Sequence, residues 1–204
     1  GTRSAARETL PAGSLRPTEP VQRVHRCGGY RFEVLVRGDS AWAFLPERTV
    51  RLGRVVSASG GKYAGDAVVY WSKGEEARLE VGGTTRTGCR TVGTRSAAAE
   101  ALLRGVDFRG LGQEPGWILE VFRGDSIVFR YDYGERRVAA PARDRGTDDP
   151  GGRRVYRASV DGHNLTVAIE DEPCRDAMSG FGFPATVEVT LDGTRYRGCG
   201  RPLR

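Results

Sequence analysis

Hydrophobic and polar residues alternate along most of the chain from residue 30 onward. In YRFEVLV (30–36), an aromatic or aliphatic residue occupies every second position, which is the pattern of a half-buried β-strand. The β-rich runs RTVRLGRVV (48–56), AVVYW (67–71) and ARLEVGG (77–83) follow, and glycine-containing turns separate them. Six or more short strands in about 60 residues predict a small barrel or a closed sandwich.

A second set of alternating runs occupies the other half of the chain. Glycine-containing turns again separate most of these runs, which predicts a second antiparallel β domain. The runs are WILEVF (117–122), SIVFRYDY (126–133), RVYRASV (154–160), NLTVAI (164–169) and TVEVTL (186–191). We therefore expect an all-β protein with a small antiparallel barrel over residues 23–93 and a second β domain over residues 108–204.

One segment between the two sets has the composition of a helix. RSAAAEALLRG (95–105) contains good helix formers throughout, with Ser96 as a candidate N-cap and a glycine at its far end. This predicts a helical connector over residues 94–107. We expect Leu102 and Leu103 to bury its apolar side.

Two polar segments lack any periodicity. Residues 1–22 mix Pro, Gly, Ser, Thr and charged residues, which predicts a flexible leader. Residues 141–154 are similarly polar and predict a long loop between strands. Because the sequence begins at Gly1 rather than at a methionine, we interpret it as a mature or trimmed product.

Four cysteines are widely spaced, and no two of them form a CxxC pair. Zinc or redox chemistry is therefore disfavoured, and we expect no metal site. Disulfides are favoured, and three pairings are conceivable. We choose Cys27 with Cys89 and Cys174 with Cys199, since each bridge then closes within one half of the chain. Such bridges predict an oxidising compartment.

Charge is distributed unevenly along the chain. The net charge is +6, and residues 1–104 carry 17 Lys and Arg against 10 Asp and Glu. A basic half suggests an anionic partner. However, its arginines are scattered singly through strand-like runs, without a basic helix or an aromatic platform for stacking bases. We therefore expect no nucleic-acid binding.

Candidates for catalysis are poor. The sequence has two histidines, of which we assign His25 to the end of the leader and His163 to a polar turn. It has no nucleophile elbow, zinc-protease motif, P-loop or dinucleotide fingerprint. The three acids of EDEPC (170–174) are consecutive, so their carboxylates need not converge. We expect no enzyme activity, no catalytic residues and no cofactor.

The segment 57–83 holds both lysines of the chain, Lys62 and Lys73, against 30 arginines. SASGGKYAGD (57–66) has the composition of a loop, because its serines and glycines allow positive φ and a close approach of backbone. In YWSKGEE, a glycine after Lys73 permits a sharp turn beside two aromatic residues. Two such turns at one end of a barrel would form a single patch. From spacing alone, ordinary β-turns with a solvated lysine are the favoured interpretation.

At these residues the sequence resembles the MliC/PliC type of bacterial inhibitors of c-type lysozyme. The SGxxY motif of that family matches SGGKY (59–63), and its aromatic–turn–Lys–Gly motif matches YWSKG (70–74). Many members have threonine where this chain has Ser72, which preserves the hydroxyl. The resemblance covers about residues 24–92, including Cys27 and Cys89.

The resemblance implies an eight-stranded antiparallel barrel whose loop enters the cleft of a c-type lysozyme. Ser59 would hydrogen-bond both catalytic carboxyls, Lys73 would pair with the ionised one, and Tyr63 would fill a sugar subsite. Lys62 would have a supporting role. The implied lysozyme-binding residues are Ser59, Gly60, Gly61, Lys62, Tyr63, Tyr70, Ser72, Lys73 and Gly74.

The resemblance also implies a cellular location, and one alternative function stays open. Members of the family reside in the bacterial periplasm or at the outer membrane as lipoproteins, so attachment through a lipid anchor outside the printed sequence is compatible with it. The alternative function is a non-inhibitory binding or structural module that contacts the cell wall or another envelope protein.

The second half resembles a different group of bacterial envelope domains, of secreted β type but without an assigned activity. The resemblance is carried by GQEPGWILEV (112–121), CRDAMSGFGFPATVEV (174–189) and YRGCGRPL (196–203). We expect Met178 and Phe181 to pack beside the bridge at Cys174 rather than to bind a ligand.

Overall fold

The structure, a computed structural model, describes residues 19–122, 126–142, 145–146 and 153–204. Its first part is a closed antiparallel barrel in which each strand pairs with the next and the last pairs back with the first. The strands are β1 (Val21–Cys27), β2 (Tyr30–Arg37), β3 (Ser40–Phe44), β4 (Thr49–Val55), β5 (Gly61–Gly65), β6 (Val68–Lys73), β7 (Glu76–Val81) and β8 (Thr84–Gly93). The predicted small antiparallel barrel is confirmed.

The start of the barrel differs from the prediction. Most of the expected leader, residues 1–18, lies outside the described residues. β1 already begins at Val21, and the assignment of His25 to the leader is wrong. His25 lies within β1 with 1% of its surface exposed, because β1 pairs with both β2 and β8 and thereby closes the barrel.

Both predicted disulfides are formed. Cys27 at the end of β1 is bonded to Cys89 in β8, so the bridge links the two strands that close the barrel. Cys174 is bonded to Cys199 in the second domain. Each bridge restricts the conformations of the unfolded chain, which stabilises the folded state by about 3.5 to 4.5 kcal/mol in the chain-entropy model.

The second part of the chain is a nine-stranded antiparallel sheet with the order β12-β11-β10-β9-β19-β18-β15-β14-β13, plus a two-stranded sheet of β16 and β17. Its strands are β9 (Phe108–Gln113), β10 (Gly116–Val121), β11 (Ser126–Tyr131), β12 (Arg136–Pro141), β13 (Arg145–Gly146), β14 (Arg154–Val160), β15 (His163–Glu170), β16 (Cys174–Arg175), β17 (Gly182–Phe183), β18 (Ala185–Leu191) and β19 (Thr194–Pro202). The predicted second antiparallel domain is confirmed. Of the expected loop over 141–154, residues 143–144 and 147–152 lie outside the described part.

A short helix connects the two sheets, as predicted. α1 (Ala97–Leu103) begins after Ser96, whose Oγ accepts a hydrogen bond from the Ala99 amide at 3.0 Å. Leu102 is 8% exposed, but Leu103 is 40% exposed, so its predicted burial is wrong. The reason is that α1 presents three alanines and Leu102 as its packed side. Within the described residues, no helix has the length and apolar character needed to cross a membrane.

The two sheets share a buried apolar interface. Leu35 on β2 and Phe44 on β3 belong to a cluster with α1 and with Leu203 at the end of the chain, separate from the barrel's inner core. Each of these three side chains is at most 1% exposed. Polar contacts join the same surfaces, since Thr49 donates to the Pro202 carbonyl at 2.5 Å. The outer face of β2 and β3 is therefore buried by the rest of the chain.

The interface predicts a large effect of one substitution outside the barrel core. Leu35→Ala should lower the free energy of unfolding by about 2 to 5 kcal/mol, because it leaves a cavity in a close-packed cluster. Leu103→Ala, a control of the same type at a partly exposed position, should change it by about 0.5 kcal/mol or less. Urea unfolding measures both. Equal, small effects would contradict the burial of Leu35.

Candidate functional site

Both parts of the predicted motif meet at one end of the β5–β6 hairpin. Gly61 is opposite Ser72 in the register of these strands, and Tyr63 is opposite Tyr70. The loop over 57–60 that precedes β5 therefore adjoins the end of β6 and its turn. The expected loop over 57–66 is too long, because β5 begins at Gly61, where pairing with β6 satisfies its backbone.

Gly60 is the point of closest approach between the loop and β6. Its φ is +71°, and a Cβ added there would lie 2.2 Å from the Ser72 carbonyl oxygen and 3.3 Å from Lys73 Cβ. Only glycine fits such a position without displacing backbone. The absence of a side chain at Gly60 thus allows Ser59 and Lys73 to be neighbours.

Two hydrogen bonds hold this loop. Trp71 on β6 donates its indole Nε1–H to the Ser59 carbonyl at 2.8 Å, and the Ser57 hydroxyl donates to the Gly60 carbonyl at 3.1 Å. Ser59 is half-buried, and its own hydroxyl forms no hydrogen bond with any described residue. The loop backbone is fixed while the Ser59 hydroxyl keeps its donor for another molecule.

The two lysines differ in exposure. Lys73 is exposed at the end of β6, where Gly74 with φ +60° turns the chain. Within the described ranges it forms no ion pair, whereas the nearby Glu76 lies 3.8 Å from Arg90. Lys62 is half-buried opposite Trp71. Lys62 forms no ion pair with a described residue either, so exposure distinguishes the two lysines, and the exposed ammonium is that of Lys73.

Tyr63 and Tyr70 do not lie on the surface of this site. They are 4% and 1% exposed, and both belong to the barrel core. Their rings stack with centroids 6.4 Å apart. A side chain buried in the core cannot fill a sugar subsite of a partner, so the role expected for Tyr63, and direct contact by Tyr70, do not fit this structure. Both residues instead support the strands that carry the loop.

A buried histidine lies behind these tyrosines, which sequence reasoning missed. His25 Nε2 is 2.9 Å from the Tyr70 hydroxyl, and the His25 ring is 5.1 Å from the ring of Phe32. Its Nδ1 is buried and has no hydrogen-bond partner among the described residues. Burial, with a smaller contribution from the charge of Arg23, lowers the pKa of His25 to about 4. The sequence feature that could have indicated its burial is its position two residues before Cys27, in the strand that closes the barrel.

The described residues contain no group of three His, Cys, Asp or Glu side chains arranged to hold a metal ion. The site consists of a fixed loop, a hydroxyl and an exposed ammonium. Chemically, it can donate hydrogen bonds to an anionic partner and pair with its charge.

Comparisons with known proteins agree with the resemblance expected from the sequence. Residues 26–87 match the model of the MliC family, described as membrane-bound lysozyme-inhibitor of c-type lysozyme. A Pseudomonas aeruginosa protein named membrane-bound lysozyme inhibitor of C-type lysozyme is 38% identical over 76 residues. The expected resemblance of the barrel to this family is thus confirmed.

The extent of these matches is limited. The alignment to the Pseudomonas aeruginosa relative covers 34% of this chain and 58% of that protein, so the chain spans little more than half of the relative's length. No solved structure matches the chain. The resemblance expected for the second domain, and the division of the chain at residues 23, 94 and 108, stay predictions.

Because the backbone approaches Gly60 closely, substituting Gly60 should destabilise the protein more than substituting Gly74. Gly60→Ala should lower the free energy of unfolding by about 1 to 3 kcal/mol, since the added methyl meets the Ser72 carbonyl in a backbone conformation unfavourable to alanine. Gly74→Ala is the control, because its φ is similar but nothing lies within 4 Å of an added Cβ. It should cost about 1 kcal/mol. Urea unfolding that shows equal losses would contradict the close approach.

The buried histidine predicts a pH dependence of stability. Because its folded pKa is below the ordinary value of 6.5, its stabilising effect is complete above pH 6.5 and is lost as the pH falls towards 4. The resulting decrease in the free energy of unfolding approaches about 3 kcal/mol. Relative to His25→Asn, the native chain should therefore lose stability over this window. A native slope in His25→Asn would contradict the assignment.

Proposed function

We propose that the barrel inhibits c-type lysozyme by inserting the loop over residues 57–60 and the Lys73 side chain into the catalytic cleft. The main support is that two groups lie at the same end of the β5–β6 hairpin. One is the Ser59 hydroxyl, which forms no hydrogen bond with a described residue, and the other is the exposed Lys73 ammonium, which forms no ion pair with one. The match of residues 26–87 to the inhibitor family supports the same partner.

The chemistry of the target suits these two groups. A retaining glycosidase has two carboxyl groups about 5 Å apart, one protonated and one ionised. In the proposed complex, the Ser59 hydroxyl hydrogen-bonds these carboxyls, and the Lys73 ammonium pairs with the ionised one. Charge-assisted hydrogen bonds are stronger than neutral ones, and they strengthen further when water is excluded.

Rigidity of the loop favours such binding. The Trp71 indole fixes the Ser59 carbonyl at 2.8 Å, and the contact of Gly60 with the Ser72 carbonyl leaves the loop little freedom. A loop that is ordered before binding loses less conformational entropy on association. Because Gly60 and Gly61 have no side chains, their backbone can approach the surface of a cleft closely.

The remaining residues have supporting roles in the proposal. Lys62 contributes positive charge near the edge of the binding surface, and Gly74 forms the turn that exposes Lys73. Ser72 adds a hydroxyl beside Tyr70. Tyr63 and Tyr70 hold the hairpin from inside the barrel. We infer that the protein catalyses no reaction itself and that it acts in the bacterial envelope, in the periplasm or at the outer membrane.

The proposal predicts inhibition that depends on Lys73. The experiment follows hydrolysis of bacterial cell walls by a c-type lysozyme at physiological salt, titrated with the native chain and with variants. The native chain should inhibit stoichiometrically. Lys73→Ala should weaken inhibition about 30-fold or more, because truncating one partner of a buried charge pair costs about 2 kcal/mol or more. Ser59→Ala should weaken it about tenfold.

The matched control is Lys62→Ala, which removes the same charge from the other lysine and should change inhibition less than threefold, well below one factor of ten. All three variants should keep the native free energy of unfolding within about 0.5 kcal/mol. Absence of inhibition at micromolar excess would overturn the proposal and favour a non-inhibitory envelope module. Large losses of stability in the variants would assign these residues a structural role instead.

A further inference from the structure

A cavity of about 360 Å³ lies between the barrel, α1 and the second domain. This volume is within the range of small-molecule sites in proteins. Both parts of the chain line it, with β2 on one side, β9 and β19 on the other, and the segment around the Cys174 bridge completing the wall. The cavity is separate from the loop that carries Ser59 and Lys73.

Four arginines line this cavity. Arg95 is engaged in an ion pair with a residue of α1, and the other three come from both parts of the chain. Arg31 is on β2, Arg109 is on β9 and Arg201 is on β19. Arg31 stacks on the Phe181 ring at 3.8 Å from its centroid, and its Nε is buried without a hydrogen-bond partner among the described residues. Arg201 is 8% exposed.

The guanidinium groups retain unused donors. Arg201 donates Nη1 to the Leu45 carbonyl and Nη2 to the Gly182 carbonyl, each at 3.1 Å, out of the five N–H donors of an arginine. Arg109 forms no hydrogen bond or ion pair with its side chain in the described part of the protein. None of the three is paired with a described carboxylate within 4.0 Å.

The two carboxylates that line the cavity are already engaged. Glu33 accepts a hydrogen bond from the Ser96 hydroxyl. Asp176 accepts one from the Ser179 amide at 2.8 Å and one from Gln113 at 3.1 Å. Although burial opposes ionisation, the hydrogen bonds from Ser179 and Gln113 lower the pKa of Asp176. Neither acid lies within ion-pair distance of the three arginines, although the charge of Glu33 raises their pKa values and so offsets part of the effect of burial.

Burial makes this arrangement costly without an anion. It lowers the pKa of Arg109, and it lowers the pKa of Arg201 to about 10. Arg201 nevertheless stays protonated at neutral pH, so its charge lies in a poorly solvated site. A planar guanidinium binds carboxylate and phosphate groups through paired hydrogen bonds, and such a group would neutralise the charge.

Aromatic rings form the apolar part of the wall. Phe32 and Phe44 from the barrel and Phe181 and Phe183 from the second domain line the cavity. The Arg201 guanidinium stacks over Phe183 at 4.7 Å from the ring centroid. Together these walls suit a ligand that has both an anionic group and an apolar portion.

We propose that this cavity is a binding site for a small organic anion, whose carboxylate or phosphate group contacts Arg31, Arg109 and Arg201 and whose apolar portion packs on the phenylalanines. Because Arg31 belongs to the barrel and the other two arginines to the second domain, the bound anion holds the two parts together. The site is independent of lysozyme inhibition, and its test uses no lysozyme.

The test titrates the full chain with benzoate and with phenyl phosphate, which carry the two anionic groups on the same ring. Calorimetry and thermal unfolding should show saturable binding and a rise in Tm, since a ligand that binds only the folded state stabilises it. Benzamide, the neutral counterpart of benzoate, should not bind. Preference for benzoate or for phenyl phosphate identifies the natural group as a carboxylate or a phosphate.

Substitutions locate the site. Arg109→Gln should weaken binding about tenfold or more, the effect of losing one charge-assisted hydrogen bond. Arg157→Gln, a control at an exposed arginine of β14 that does not line the cavity, should bind like the native chain. On the native chain, benzoate should shift the NMR signals of backbone amides in β2, β9 and residues 179–183, a result that does not depend on a variant folding.

Three results would overturn the proposal. One is the absence of saturable binding by either anion. Another is equal binding of benzamide, which would mean that the arginines do not recognise charge. The third is a set of shifted NMR signals that lies outside the cavity walls. In each case the arginines would act only as packing and hydrogen-bonding groups between the two sheets.

Discussion

The pairing of β1 with β8 is the interaction on which the rest of the structure depends. It turns a sheet with two edges into a closed barrel, and the Cys27–Cys89 bridge holds the same two strands together. Closure removes unpaired strand edges and encloses His25 and Tyr70, whose side chains are in contact at 2.9 Å. It also gives the β5–β6 hairpin a rigid base. The fixed loop at the end of that hairpin is a consequence of this closure.

The barrel uses its outer surface in two different ways. Part of it, around Leu35 and Phe44, is buried beneath α1 and the end of the chain. The hairpin that carries Lys73 instead leaves an ammonium and a hydroxyl without partners among the described residues. The interface is imperfectly filled, and the cavity left between the sheets is lined by arginines. The two proposed sites are therefore distinct, one on the loop over residues 57–60 and one where the two parts of the chain meet.

Strands with clear alternation in the sequence, such as β2, were predicted, whereas β1 and β3 were missed. β3 has small residues inside, such as Ala43, and large residues outside, such as Phe44, and both faces are buried. β1 has two consecutive buried residues, Val24 and His25, at a shift in its register with β8. Alternation fails in both cases because a second layer of packing or a register shift breaks the simple inside–outside pattern.

The sequence alone predicted the all-β class and the helix between two sets of strands, because these depend on local periodicity and capping. It favoured one of three possible cysteine pairings, and the family resemblance, rather than spacing, singled out the candidate loop. Only the tertiary structure decided that Tyr63 lies in the core, that Leu35 is buried outside the barrel and that Arg31 faces Arg109 and Arg201. Periodicity assigns a residue to one of two faces of a strand. It does not specify what covers that face, since this depends on residues distant in the sequence.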